Sequence, residues 1–294
     1  STSTPENSNG CFDNIEDVHS FAPQLAVIAN PATFHTDVAL KLTEQGVHLL
    51  IEKPIAASQE SIQLLLDLSR KNNTVLLVGY NLRFLSSLQE FRSALHLQTI
   101  GKVLSVRCEI GQFLPSWRPN TDYRQGVSAR SKLGGGVLLE LSHEIDYLRW
   151  IFGEVEWVTA ILSQQSDLDI DVEDTAHLIF GFTAKIEDKI QLIASVNLDF
   201  IRHDITRLCT AIGDIGSLRW DGIAGTIEQF DLESKTWVEV FRDEEKDSYA
   251  SEWKHFLKCI SGYEKPLISG NDGLKVLEVI EAARQSSLDK EQVK

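Results

Sequence analysis

Glu52-Lys53-Pro54 closes an apolar run, Val47-His48-Leu49-Leu50-Ile51, and offers a lysine for acid/base work. A lysine at the carboxyl end of a buried parallel strand sits on the edge where open α/β sheets bind ligands. The proline after it removes a backbone donor and fixes φ, so the strand ends there and the lysine is aimed. Burial disfavours the charged ammonium and brings its proton within reach of neutral-pH chemistry. A second group lies in Gly134-Gly135-Gly136-Val137-Leu138-Leu139-Glu140-Leu141-Ser142-His143-Glu144. On a helix, Glu140, His143 and Glu144 share one face, while Leu138, Leu141, Ile145 and Leu148 occupy the other. The glycines predict a flexible entry to that helix, able to approach a ligand closely. A third group, Arg118, Arg124 and Arg130, falls in the long polar segment Pro115–Lys132 together with Trp117 and Tyr123. Planar guanidinium forks suit carboxylates and phosphates, and the two aromatic rings suit a sugar or base face. Each group also has an ordinary reading. These are a surface lysine before a turn, an amphipathic helix with a core histidine, and arginines paired with Asp122, Glu140 or a neighbouring subunit.

The elements that must position these groups follow from periodicity. Leu25-Ala26-Val27-Ile28-Ala29 reads as a strand ending in Asn30-Pro31-Ala32-Thr33-Phe34-His35. Thr36 to Gln45 carries Val38, Ala39 and Leu42 at helical spacing, closed by Gly46. With the run before Glu52 this makes a βαβ unit with a right-handed crossover. It repeats: Ser58 is the expected N-cap, Ile62, Leu64, Leu65 and Leu68 follow, and Val75–Tyr80 is the next strand. Asn30–His35, Glu52–Pro54 and Asn81–Phe84 therefore share one edge of a parallel sheet. Beyond Phe84 the pattern changes to a helix over Leu88–Leu97 and a strand over Lys102–Phe113. Short strands are then expected at Trp157–Leu162, Thr175–Phe182, Lys189–Asp199, Thr206–Ile212, Ser217–Asp221, Thr226–Asp231 and Trp237–Phe241. Helices over Ser248–Ser261 and Asp272–Ser287 end the chain. Short strands joined by Gly, Asp and Lys turns predict an open antiparallel sheet. One face is covered by helices, which leaves the other for self-association as a homodimer or homotetramer.

Composition sets limits. The 294 residues suffice for two domains, and 43% hydrophobic with 24% charged residues is ordinary for a globular protein. A net charge of −15 without a basic run argues against nucleic acid as a partner. No apolar run approaches the ~20 residues that span a bilayer. Cys11, Cys108, Cys209 and Cys259 show no metal-binding spacing, so reduced structural thiols in a cytoplasmic protein are expected and no metal.

Taken together, AVIANPATFH, GVHLLIEKPIA, VGYNLRF, GGGVLLELSHEIDYLRWIFG, VEDTAHLIF and DGLKVLEVIEAARQSS resemble the Gfo/Idh/MocA oxidoreductases, in family order from Leu25 to Ser287. The resemblance implies an α/β Rossmann domain over residues 1–98 that binds NAD or NADP. It further implies a substrate and dimerisation domain over residues 99–294, built on a large open antiparallel sheet. It implies hydride transfer between nicotinamide and a sugar or cyclitol carbon. Lys53, His143 and Glu140 become catalytic by that resemblance. Asn30, Pro31, His35, Glu52, Lys53, Pro54 and Arg83 fall at the cofactor. Trp117, Arg118, Tyr123, Arg124, Arg130 and Glu144 fall at an anionic or nucleotide-linked sugar-like substrate. The family pattern places an Asp four residues before the histidine. Here Glu140 stands three before it and Glu144 directly after, which leaves their separate roles open. His143 to Asp146 keeps the family spacing.

The glycine fingerprint G-x-G-x-x-G, which lets a backbone approach a pyrophosphate at a helix N-terminus, does not precede Leu25. Ser1 to Phe12 reads as a polar loop and Ile15–Val18 as the start of a short helix. The chain contains no Met, and the expectation is that the first strand, helix and second strand of the domain are absent from this sequence. A natural degenerate protein is the alternative. A non-catalytic ligand sensor that kept the fold is the second functional class, favoured by the missing fingerprint and opposed by the retained Lys53 and His143.

Overall fold

The computed structural model describes residues 11, 14–183, 191–244 and 247–294. Apart from Cys11, the loop expected over Ser1–Phe12 lies outside these residues, as does the start of the strand expected from Lys189. A short 3-10 helix, Ile15–Phe21, leads into β1 (Leu25–Ile28), α1 (His35–Glu44), β2 (His48–Glu52), α2 (Ile62–Lys71) and β3 (Leu76–Gly79). The three strands form a parallel sheet in the order β1-β2-β3, with Ile28 opposite Ile51 and Glu52 opposite Gly79. Leu49, Leu50 and Ile51 are all buried, as expected of a strand covered on both faces. Ser58 does not cap α2. Ser61 takes the N-cap position in a left-handed conformation, without a side-chain hydrogen bond.

A 3-10 turn, Asn81–Phe84, and α3 (Ser86–His96) lead to the second part. It comprises β4 (Val103–Gly111), α4 (Leu114–Trp117), α5 (Val137–Glu140), α6 (His143–Phe152), β5 (Val155–Ser163), β6 (Thr175–Phe182) and β7 (Ile193–Asp199). There follow β8 (Thr206–Gly213), β9 (Ser217–Asp221), β10 (Thr226–Asp231), β11 (Thr236–Arg242), α7 (Ser248–Ile260) and α8 (Gly270–Asp289). The eight strands run β11-β10-β9-β8-β4-β7-β6-β5. Neighbours are antiparallel except β4 and β7, which are parallel, so the sheet is mixed where an antiparallel one was expected. The order of short strands shows their period, but not which distant strand each one joins.

One face of this sheet, carrying Leu178, Phe180, Val196, Val106, Cys108, Cys209 and Trp220, is buried. Helix α8 starts at a capping box, in which Ser269 and Asp272 satisfy each other's backbone. It packs on β5, α6, β3 and α2, while the backbone of Ile268 receives the Val78 N–H. The two sheets therefore share one continuous apolar core. No described helix is long and apolar enough to cross a membrane.

Candidate active site

Lys53 follows the last residue of β2, and its peptide bond to Pro54 is cis. The turn is braced from below by His35, which is buried with Nε2 2.7 Å from the Asn30 carbonyl and Nδ1 3.0 Å from the Pro54 carbonyl. Burial pulls the His35 pKa below its ordinary value, so the ring is neutral and has one N–H to donate between two carbonyls. His35 thus ties the β1 loop to the β2 loop and is a positioning residue.

Across the cleft, the helix expected to run through Glu140 and His143 is broken between α5 and α6. Ser142 turns its hydroxyl back onto the Leu139 carbonyl at 2.9 Å, a local bond that competes with helix continuation. The break leaves the Glu140 carbonyl free of a helical partner, and Lys53 Nζ donates to it at 2.7 Å. The Glu140 carboxylate accepts from the Ser128 hydroxyl at 2.6 Å. His143 opens α6 edge-on to the buried Tyr80 ring, at 5.5 Å between centroids. Its Nδ1 is wholly buried and has no hydrogen-bond partner among the described residues. Burial, with Lys53 and Arg207 adding their positive charge, holds the imidazole pKa well below its ordinary value. Lys53, Glu140 and His143 line one cleft of about 260 Å³ with Asn81, Trp117 and Arg207, flanked by apolar Ile110, Ile205 and Ile223.

Residues 92–294 match the family described as "Oxidoreductase family, C-terminal alpha/beta domain" of the Gfo/Idh/MocA group, and residues 3–80 match its "NAD-binding Rossmann fold". The chain belongs to the Gfo/Idh/MocA oxidoreductases. It is 26% identical over 279 residues to a myo-inositol 2-dehydrogenase of Thermotoga maritima, covering 91% of this chain and 78% of that protein. In fold it is similar to levoglucosan dehydrogenase in complex with NADH and L-sorbose, with TM-score 0.84 at 19% identity, covering 96% of this chain and 82% of that one. It is also similar to the WlbA dehydrogenase of Bordetella pertussis in complex with NADH and UDP-GlcNAcA, with TM-score 0.78 at 21% identity, covering 96% and 82%. As a member of this family the protein is a dehydrogenase or reductase that acts on CH–OH groups with a nicotinamide cofactor.

The Gfo/Idh/MocA edge of the parallel sheet fits the nicotinamide end of such a cofactor. Asn30 is exposed at the end of β1, Glu52 is half-buried at the end of β2, and the buried His143 Nδ1 is left without a polar partner among the described residues. A glycine-rich βα turn that would grip a pyrophosphate does not occur among the described residues. Glu52 Oε2 accepts from the Lys53 N–H at 3.3 Å, and Pro54 is buried beside it while Pro31 is half-buried. Facing Glu52 is Glu252 of α7, only 2% exposed, whose Oε1 has no partner among the described residues. Burial and the Glu52 charge push the Glu252 carboxyl up to about 8.

Other expected site residues stand elsewhere. Arg83 is buried and grips Asp146 with two hydrogen bonds of 2.8 and 2.6 Å, and so braces α6. Glu144 is fully buried beneath the cleft, accepting from Arg207 Nε at 2.9 Å. Arg124 pairs with Asp122 at 2.8 Å, and Arg130 donates to the Arg124 carbonyl and pairs with Asp169 and Asp171. Arg118 is exposed and does not line the cleft. The Tyr123 hydroxyl accepts from the Asp169 N–H, so of the predicted substrate group only Trp117 reaches the cleft. The glycines approach their own chain: a Cβ on Gly135 would meet the Val127 carbonyl at 2.4 Å, and one on Gly136 the Glu173 carboxylate at 2.4 Å. Sequence reasoning placed the Asn81–Phe84 turn on this edge without singling out Asn81, and missed Arg207 and Tyr249. Arg207 lies inside an ordinary-looking strand, and only its register opposite Ile110 brings it to the cleft.

Proposed function

We propose that the protein oxidises a secondary hydroxyl of a sugar-like, anionic substrate to a ketone, and reduces it in reverse, with Lys53 as acid/base. The carrying observation is that Lys53 and His143 line the same small cleft, with Lys53 Nζ held on the Glu140 carbonyl of the helix break that precedes His143. Bound nicotinamide supplies the two-electron acceptor for the hydride leaving the substrate carbon. Lys53 takes the hydroxyl proton on Nζ in oxidation and returns it in reduction, its tip steered by the Glu140 carbonyl. His143 is neutral, so it meets the same oxygen as a hydrogen-bonding imidazole and adds no second positive charge. Glu140 fixes the lysine through its backbone and holds the Pro115–Lys132 segment through Ser128. Asn30, Pro31, Glu52 and Pro54 would border the nicotinamide. A cleft of about 260 Å³ is near the lower end of ligand sites, which supports a single sugar or cyclitol ring within it.

We take residues 1–98 as the cofactor part and 99–294 as the substrate part, with NAD and NADP both open. Three buried, unpaired cysteines support a reducing, cytoplasmic setting. The test is spectrophotometric reduction of NAD and NADP over a panel of cyclitols, aldoses and sugar acids. Turnover by the wild type and its loss in Lys53→Met are expected. No turnover on the whole panel, or full turnover by the variant, would overturn the reading.

A further inference from the structure

Arg207 is the one cleft residue whose charge the proposed chemistry does not use, and its surroundings are built with care. It sits near the start of β8 on the helix-covered face of the sheet, directly opposite Ile110 of β4. Its Nε is held by Glu144 Oε1 at 2.9 Å. Glu144 is fully buried, and its second oxygen has no hydrogen-bond partner among the described residues. An arginine–carboxylate pair of usual design engages both oxygens with two parallel N–H groups. Here the carboxylate holds only Nε, and among the described residues no carboxylate pairs with Nη1 or Nη2. The stem is fixed as well. The Gly222 N–H donates to the Arg207 carbonyl at 2.8 Å, and a Cβ on Gly222 would press on Arg207 Cδ at 2.7 Å.

We infer that Arg207, oriented from behind by Glu144, is the specificity-determining residue of this site and binds a carboxylate carried by the substrate ring. The inference rests on the proposed dehydrogenase reading of the same cleft. Three observations carry it. First, the guanidinium keeps its Nη fork for a ligand, in a protein that pairs Arg83, Arg124, Arg149 and Arg219 with two hydrogen bonds each to a carboxylate. Second, the carboxylate that lines the cleft, Glu140, is already occupied by Ser128, and Glu144 reaches Arg207 only from behind at Nε, so no lining carboxylate competes for the Nη fork. Third, Ile205 and Ile223 also line the cleft, an apolar setting that strengthens a charge-assisted bond. A carboxylate matches the planar fork with one charge. A phosphate dianion would call for further donors; of the loop arginines, Arg124 and Arg130 are committed to Asp122, Asp169 and Asp171, and Arg118 does not line the cleft.

The test compares kcat/KM for sugar acids with that for their neutral counterparts and sugar phosphates. It uses wild type, Arg207→Met, Arg207→Lys and the double variant Arg207→Met with Glu144→Gln. The double variant removes both charges of the pair, which guards against unfolding by an uncompensated, buried Glu144. The wild type should prefer the acid, and the acid-over-neutral ratio should fall about 10- to 100-fold in both Met variants, with Lys between. A purely structural arginine would lower both rates and leave the ratio unchanged; that result, or a wild-type preference for neutral sugars or phosphates, overturns the inference. Calorimetry with a sugar acid separates it from the reading beneath. Carboxylate binding that Arg207→Met abolishes, without turnover on any panel member, sinks the dehydrogenase reading and keeps the anion site. Turnover without acid preference does the reverse.

Discussion

Lys53 is held at its tip by the Glu140 backbone carbonyl, at 2.7 Å, which orients Nζ within the cleft. Removing a positioned acid/base typically costs ~10²–10⁴-fold in rate. Lys53→Ala and His143→Ala are each expected to lower kcat by that order while far-ultraviolet circular dichroism stays native. Near-wild-type kcat in either would remove that residue from the mechanism. The buried carboxyl of Glu252 gives a prediction with a definite sign. Its folded pKa of about 8 lies above the ordinary 4.5, so between those values the folded state binds more protons than the unfolded. Stability from this group is therefore full below 4.5 and lost as pH rises toward 8. Glu252→Gln should stabilise the protein on the order of 2 kcal/mol at pH 8 and hardly at all at pH 5, read from denaturant unfolding. An equal gain at both pH values would show that burial of the charge is not the cause. At this scale the sequence showed Lys53, Glu140, His143 and Trp117 in the cleft, because each sits at an element end or in a loop. It did not show that Glu144 turns inward or that Arg83 serves Asp146, since both depend on partners more than 60 residues away in the chain.

The elements that matter most are α6 and the turn Asn81–Phe84, which Arg83 and Asp146 lock together with side chains only 3% and 2% exposed. Arg83 also donates to the Leu267 carbonyl at 3.1 Å, lies over the Trp150 ring, and so ties the approach to α8 into the same joint. Burying an ion pair is costly, and breaking one by removing a single partner typically costs ~3–5 kcal/mol. Arg83→Met and Asp146→Leu should each destabilise by about that amount, whereas the double variant should recover much of the loss, as a double-mutant cycle in urea will read out. Additive losses would mean that the two side chains act separately. The helix break before His143 had a sequence signal in Ser142, whose hydroxyl competes for backbone, but the leucine periodicity on either side hides it. The βαβ order was legible because strand and helix periods alternate cleanly up to Tyr80. The glycine triplet was ambiguous, since close approach to a ligand and close approach to Val127 or Glu173 demand the same residue type.

At the scale of the whole molecule, the pairing register decides which side chains the large sheet leaves in solvent. Ile179 lies opposite Thr159 and Ser195, Ile161 opposite His177, and Ile193 opposite Gly181, so the three isoleucines form a diagonal stripe across β5, β6 and β7 on the face away from the helices. They are 65%, 45% and 44% exposed for Ile161, Ile179 and Ile193. An alternating strand normally places polar residues on its open face, so a contiguous row of β-branched apolar ones marks a surface made to be covered. Two copies stacking these faces about a two-fold axis would bury the stripe against itself, which is the isologous contact that closed homo-oligomers favour. Light scattering on the wild type should give a dimer or tetramer. Ile179→Lys places a charge at the centre of the stripe, where burial without a partner is prohibitive, and should yield a monomer with unchanged circular dichroism. A control, Leu97→Lys, alters an equally apolar but isolated side chain, 75% exposed after α3, and should leave the mass unchanged. A monomeric wild type, or an Ile179→Lys oligomer of wild-type mass, would show that this face is not the interface.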